Sequence, residues 1–451
     1  MTTLERRLGP LDAAAIIVSN VIGGGILFTP PQIAAAVPAA IPFLATWIAG
    51  GLLAFAGAMS YAELAALRPK AGGEYVYLRD ALGRLAAFLS GWTSFVAGFA
   101  GAIATSAVVL PFYLGRFIPA AGDGTPIFAL PVIPGVITLS VSRQSIVALA
   151  AIWGLAWVHR RGVGPGRVVG NILAILKVSA LVIFVALGFS VGSSGPSHLT
   201  ESHPVAITGW LLALIPVMFT YSGWNAASYV AEEIRDPGRN VPRAFALGTV
   251  AVVVLYVLLN ILYLFVFPIT ELGNVKGSVL DVVAERLLGA TAGDVMGVVS
   301  LVSLLASVSA MTFAGPRVYF AMARDGLFFR AASAIHPRYH TPSNAIVAQA
   351  AWASVLVLTA TADALVTYTG FAITLFLGLA VLSLFVLRAR EPQVVRPFSA
   401  WLYPFAPAAY IVVSAAILIN GLVRDPWPTG AGTLIILAGV PLFYFFNRKQ
   451  T

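Results

Sequence analysis

The chain alternates long apolar runs with short polar connections. Twelve runs, over about 13–37, 42–66, 86–115, 144–158, 168–192, 208–231, 244–268, 295–323, 345–361, 364–388, 403–422 and 431–446, are long enough, or nearly so, to cross a hydrocarbon core of roughly 30 Å at about 1.5 Å per residue. The pattern predicts an all-α membrane protein with twelve transmembrane helices. The fourth run is short and follows a proline-rich linker, GDGTPIFALPVIPG. Arg6 and Arg7 stand where a signal peptide would carry its charges, but the run after them is too long and eleven others follow, so it reads as an uncleaved first span.

Two runs are interrupted. VIGGGILFTP, residues 21–30, places Gly23, Gly24 and Gly25 in the middle of the first, and FTYSGWNAASY, residues 219–229, breaks the sixth with Ser222, Gly223 and Asn225, all poor helix formers. The breaks stand five runs apart. Five being odd, a repeat of five spans sets its second copy upside down, so 13–192 and 208–388 form an inverted pair with a broken helix opening each half. Residues 403–446 add helices eleven and twelve to what is otherwise one transporter domain. The competing reading is that the glycines only let helices pack closely. A break has a chemical use: it exposes free N–H groups and a positive dipole end on one side, free carbonyls and a negative end on the other. A zwitterion matches both. The expected substrate-binding set takes a carboxylate on the N–H groups of Gly24, Gly25 and Ile26, and an ammonium on carbonyls near Asn20, Ile22, Phe219 and Ser222. Gly23 and its two neighbours suit this because a side chain would hold the ligand off the backbone.

Composition narrows the class. The chain is 59% hydrophobic and 10% charged, against about 25% charged in soluble domains, with a mean hydropathy of +0.90. It has no cysteine, which excludes disulfides and thiolate chemistry, and its five histidines fall outside the apolar runs at no metal-ligand spacing. No cofactor and no metal are implied. The net charge of +9 is a topology signal: Arg6, Arg7, Arg68, Lys70, Arg160, Arg161, Arg235, Arg239, Arg388, Arg390, Arg448 and Lys449 fall on the side of the termini, with Arg116, Arg143, Lys276, Arg286 and Arg424 opposite. Both termini are therefore expected in the cytoplasm, and nucleic acid is not a partner.

VIGGGILF, YAELAALRPKAGGEYVYLRDALGRLAAFLSGW (61–92), FTYSGWN, AEEIRDPGRNVPRA (231–244), GPRVYFAMARDGLFF (315–329), YTGFAITLFLGLAVLSLFVLRAREP (368–392) and RPFSAWLYPF (396–405) together resemble the amino acid-polyamine-organocation superfamily, most closely its L-type amino-acid transporter branch. The match covers nearly the whole chain in order. It implies a five-plus-five inverted-repeat fold, alternating access, and amino-acid exchange or symport. It also implies that Phe219 is an aromatic gate over bound substrate, that Tyr263 lies near the site, and that Tyr221 and Trp224 belong to the same segment. Lys177 lies deep in the fifth run, where an unpartnered lysine is costly. In sodium-independent members of the fold a fifth-helix lysine stands in for sodium, which gives Lys177 a coupling role with Ser19 and with Ser307 or Ser309.

Helices one, three and six offer no carboxylate in their central portions, so a cationic side chain would lack a counter-ion. Some members of the resembled superfamily that handle cationic substrates carry an acid where Asn225 stands, and the favoured cargo is a neutral L-amino acid, exchanged without sodium. Trp224 either bounds the pocket or faces another helix. Proton-coupled symport, and a cationic amino-acid or polyamine carrier, are the alternatives. Animal L-type carriers join a heavy subunit through a cysteine that this chain lacks, so no disulfide-linked partner is expected, and the protein reads as a monomer or weak homodimer in the lipid bilayer of a prokaryotic inner membrane. RGVGPGRVVG, residues 161–170, imitates a phosphate loop without completing one. Glu63 is expected to pair near Arg68 and Lys70, and Glu232 or Glu233 with neighbouring arginines. A channel lacks its polar lining and an enzyme its nucleophile.

Overall fold

The computed structural model describes residues 4–133, 137–191, 196–359, 362–424 and 426–448. The predicted span ends at 192 and at 360–361, part of the 122–135 linker, and Lys449 lie outside the described residues. The chain is helical almost throughout: α1 (Pro10–Val21), α2 (Gly24–Ala36), α3 (Ala40–Leu67), α4 (Glu74–Leu82), α5 (Arg84–Leu114), a hairpin of β1 (Pro126–Ile133) and β2 (Ile137–Ser142), α6 (Arg143–Arg160), α7 (Val163–Val191), α8 (Ile207–Thr220), α9 (Ala226–Tyr229), α10 (Pro237–Val266), α11 (Val279–Leu288), α12 (Ala290–Arg324), α13 (Ser343–Leu358), α14 (Ala362–Arg390), α15 (Phe405–Arg424) and α16 (Pro426–Arg448).

Among the described residues eight helices are long and apolar enough to span a bilayer, and the bent pair α1–α2 makes nine. The predicted count was twelve. The difference lies in three elements: α8 stops after 14 residues at the turn that follows Thr220, α13 has 16, and α6 spreads Arg143, His159 and Arg160 over its 18. Two elements had no counterpart in the sequence reading. The linker pairs as an antiparallel hairpin that presents Ile127, Phe128, Leu130 and Val132 outward, and α4 folds inside the connection after the second span.

Small residues set the helix spacing. A Cβ on Gly50 would lie 2.3 Å from Val217 and one on Gly57 2.6 Å from Trp224, so α3 accepts α8 and the turn after it at backbone range. Trp47, Tyr221 and Tyr256 then meet edge-on, with centroids 6.1 Å apart for Trp47 against each tyrosine. On the side of the chain termini, Leu8 joins residues 233–235 through two backbone bonds, and Ala71 N–H donates to Glu232 at 2.9 Å.

Ionic contacts differ in part from expectation. Glu63, fully buried, accepts from Arg388 and Arg396 and from the Ala400 amide, rather than from Arg68 or Lys70, because α14 and its following loop pack over the end of α3. Arg68 turns instead to Asp80 and Glu391. Glu233 forms a bidentate pair with Arg317 at 2.7 and 3.0 Å, with both side chains at most 1% exposed, and Glu232 pairs with Arg324. His159, expected outside the apolar runs, is buried: α6 runs on to Arg160 and holds the ring against α12.

Candidate functional site

The first break follows directly from the glycines. α1 ends at Val21, Ile22 is extended, and α2 starts at Gly24 after a bend of 49°. No side chain caps the start of α2, so the amides of Gly24, Gly25 and Ile26 have neither an intrahelical nor a side-chain acceptor. A Cβ on Gly24 would meet nothing nearer than Phe28 at 3.9 Å, so the side-chain position of Gly24 is open. The second break follows α8: Tyr221–Asn225 form a turn in which Gly223 has φ +104°, a conformation glycine adopts without strain.

The two breaks touch. A Cβ on Gly223 would lie 3.1 Å from the backbone of Asn20, and one on Gly25 3.1 Å from Thr220. Tyr256, on α10, bridges them, its hydroxyl 2.9 Å from the carbonyl of Val21 and 3.4 Å from that of Thr220. Sequence reasoning chose Tyr263, two turns further along α10; that residue is buried with an unpartnered hydroxyl and lines neither cavity described below.

Lys177 meets the carbonyl end of α1. Its ammonium, fully buried, donates to the carbonyls of Ile22 and of Ser19, the latter at 3.3 Å. Ser307 donates to the same two, at 3.0 Å to Ser19 and 3.3 Å to Ile22. The lysine thus sits at the negative end of a half-helix, the end that favours a basic group. Of the two serines proposed for this contact, Ser307 makes it; Ser309 pairs with the imidazole of His159 at 2.9 Å. The Ile22 carbonyl, expected to hold a ligand ammonium, is therefore already engaged, and that of Phe219 accepts from the Ser222 amide at 2.9 Å.

A cavity of about 160 Å³ lies beside the junction, bounded by Asn20, Thr93, Ser222, Gly223 and Asn225. Asn20 has a buried, unpartnered amide nitrogen. The wall on α5 is a π-helical turn, Ser94–Gly98, a wider winding that recurs at functional sites. Phe219 does not line this cavity. Its side chain is 49% exposed and borders a wider cavity of about 390 Å³ between α8, α14 and α15, as does Trp224, which packs edge-on against Tyr61 and Tyr410. Tyr221 points away, donating to the Trp47 carbonyl at 3.1 Å.

The cavity also reaches a carboxylate that sequence reasoning missed. Gly72 and Gly73, at φ +117° and +56°, turn the loop so tightly that a Cβ on Gly73 would lie 2.6 Å from Tyr229, and Glu74 follows at the start of α4. Its Oε1 accepts from the Tyr229 hydroxyl at 2.8 Å, and that hydroxyl accepts from Asn225 at 2.7 Å. The other oxygen, Oε2, is buried without a partner. Burial pushes the carboxyl up to about 7, with the Tyr229 and Asn225 contacts opposing the shift. The paired glycines before Glu74 were its signal, and they were read only as part of a connection.

The amino acid permease family model matches residues 8–444. The chain belongs to the amino acid permease family. It is a multi-pass membrane protein of the transporter class, not an enzyme. The family is also visible in individual relatives. The chain is 30% identical over 448 residues to "Large neutral amino acids transporter small subunit 2" of Mus musculus, covering 98% of this chain and 81% of that protein. It is 29% identical to "Asc-type amino acid transporter 1" of Mus musculus over 98% and 81% of the two chains, and 29% identical to "b(0,+)-type amino acid transporter 1" of Mus musculus over 98% and 88%. The transported class is amino acids.

Proposed function

We propose that this permease exchanges neutral L-amino acids across the inner membrane without sodium, by alternating access through twelve spans arranged as two inverted five-helix halves with both termini cytoplasmic. The observation that carries the reading is the contact between the two helix breaks, Gly25 against Thr220 and Gly223 against Asn20, which sets the uncapped start of α2 beside the second break; the amides of Gly24, Gly25 and Ile26 are assigned to the carboxylate of an α-amino acid and the carbonyls of Asn20 and Ser222 to its ammonium. Ile22 leaves the ammonium set because Lys177 and Ser307 occupy its carbonyl. The lysine supports sodium independence, since its amine fills the place where α1 and α12 would share a cation. Neutral cargo is supported by the absence of a carboxylate from the breaks themselves and by the printed name of the large-neutral relative. Phe219 swings in over the substrate from the wider cavity as the outer side closes.

The test is counterflow in proteoliposomes loaded with unlabelled L-leucine, L-alanine or L-arginine, with and without sodium. Saturable uptake of labelled leucine or alanine, accelerated by internal amino acid and indifferent to sodium, is expected. Uptake that requires a sodium gradient removes the role given to Lys177, and preference for arginine removes the neutral assignment.

A further inference from the structure

We propose that Glu74 is a proton-binding group at the cytoplasmic floor of the substrate cavity, taking up one proton at Oε2 as the floor closes beneath the substrate and returning it to cytoplasmic water when the floor opens. The inference rests on the exchange reading above and adds a ligand to the same site.

The geometry carries it. Glu74 is 5% exposed and lines the cavity that holds Asn20 and Gly223, yet among the described residues it forms no ion pair. Every titratable group that acts on it from the packed elements is a phenol: Tyr61 of α3, Tyr77 of α4, Tyr229 of α9 and Tyr319 of α12. One hydroxyl, that of Tyr229, stabilises the anion, while the hydroxyls of Tyr61 and Tyr77 are themselves buried without partners. An ionised carboxylate with one empty oxygen in such a cage is costly, whereas a protonated one brings its own donor and can satisfy a phenol oxygen. The loop that places it is held to α9 and α12 by bonds that a cytoplasmic opening must break: Gly72 N–H to the Tyr229 carbonyl at 3.2 Å, Ala71 N–H to Glu232 at 2.9 Å, and Tyr75 to Asp325 at 3.0 Å. Opening the floor therefore hydrates Glu74, and closing it dries Glu74.

The sign of the coupling follows. A carboxyl at its ordinary 4.5 when hydrated and at about 7 when enclosed favours the closed state in acid and gives up that advantage as pH rises through 7. Closing over substrate binds a proton within that window, so apparent affinity at the cytoplasmic face weakens by up to about tenfold per pH unit from about pH 5 to about pH 7 and levels off above.

The purified protein, given saturating L-leucine or L-alanine in weakly buffered detergent solution with a pH indicator, tests this. At about pH 6 wild type takes up close to one proton per amino acid bound, and Glu74→Gln takes up none while its binding constant becomes flat with pH. Tyr229→Phe, which deletes the hydroxyl that donates to Oε1 and so favours the anion, moves the window to higher pH, and it keeps the test available if Glu74→Gln does not fold. Substrate binding with equal proton uptake in wild type and Glu74→Gln overturns the proposal, as does binding by wild type with no uptake. Binding of L-lysine that tightens with pH and is lost in Glu74→Gln also overturns it, by making Glu74 a counter-ion. Absence of any amino-acid binding removes the exchange reading itself, and the proton site with it.

Discussion

At the scale of single residues, two positions separate binding from scaffolding. Gly24 has open space where a side chain would grow, so Gly24→Val costs the fold little, within about 0.5 kcal/mol, while blocking the amides and weakening substrate binding by about two orders of magnitude. Isothermal titration alongside a melting curve separates the two effects. Equal losses in both would mean that the glycine serves packing alone. Lys177 is the second position. Its removal in Lys177→Ala leaves the carbonyls of Ser19 and Ile22 to Ser307 alone, at a cost of about 2 kcal/mol. Exchange is expected to slow at least about tenfold, measured as initial counterflow rate, and an unchanged rate would end its coupling role. Glu74 and Lys177 are a contrasting pair: both buried, one embraced by carbonyls at a helix end, the other left among phenols with an oxygen to spare.

At the scale of elements, the junction of the two breaks predicts a specific dependence on Tyr256. Tyr256→Phe leaves the ring packing against Trp47 and deletes only the hydroxyl, so the carbonyls of Val21 and Thr220 lose a donor and affinity falls by about tenfold with little change in helicity. Unaltered affinity would show that the breaks are held by packing. The breaks themselves were legible because glycine, serine and asparagine interrupt runs that are otherwise strongly apolar, and helix propensity alone marks them. Tyr256 was not legible: its bonds reach residues 235 and 36 positions away in the chain, and one tyrosine of an apolar helix reads like the next. The hairpin was hidden for a different reason. Pro126, Pro131 and Pro134 argued for an irregular linker, whereas a two-stranded edge tolerates proline wherever its missing N–H faces outward. Glu74 was assigned to a connection because it lies outside the apolar run, and only the return of the loop toward α9 brings it to the cavity.

At the scale of the whole molecule, the ionic contacts include two groups that share no residue. Arg68, Arg79, Arg317, Arg324, Arg388 and Arg396 form one group with their acidic partners, and Arg116 gathers Asp281, Glu285 and Asp294 in the other. The arginines of the first group lie in connections expected on the cytoplasmic side and Arg116 in one expected on the other, so sidedness can be tested directly. The natural chain has no cysteine, so single substitutions report without background. An impermeant maleimide added to intact cells is expected to label Ala120→Cys and to spare Gln393→Cys until the membrane is broken. The reverse pattern would invert the topology and with it the placement of Glu74 on the cytoplasmic side.

The phenol of Tyr256 has a further consequence. One oxygen grips a carbonyl at each of the two breaks, and the two grips are unequal, 2.9 Å on Val21 against 3.4 Å on Thr220. A motion that parts the two breaks cannot keep both, so the hydroxyl must choose, and its choice records which break it stayed with. Carbon-13 placed in the carbonyls of residues 21 and 220 would turn that choice into two vibrational bands moving in opposite directions, a readout of the turnover from inside the hinge.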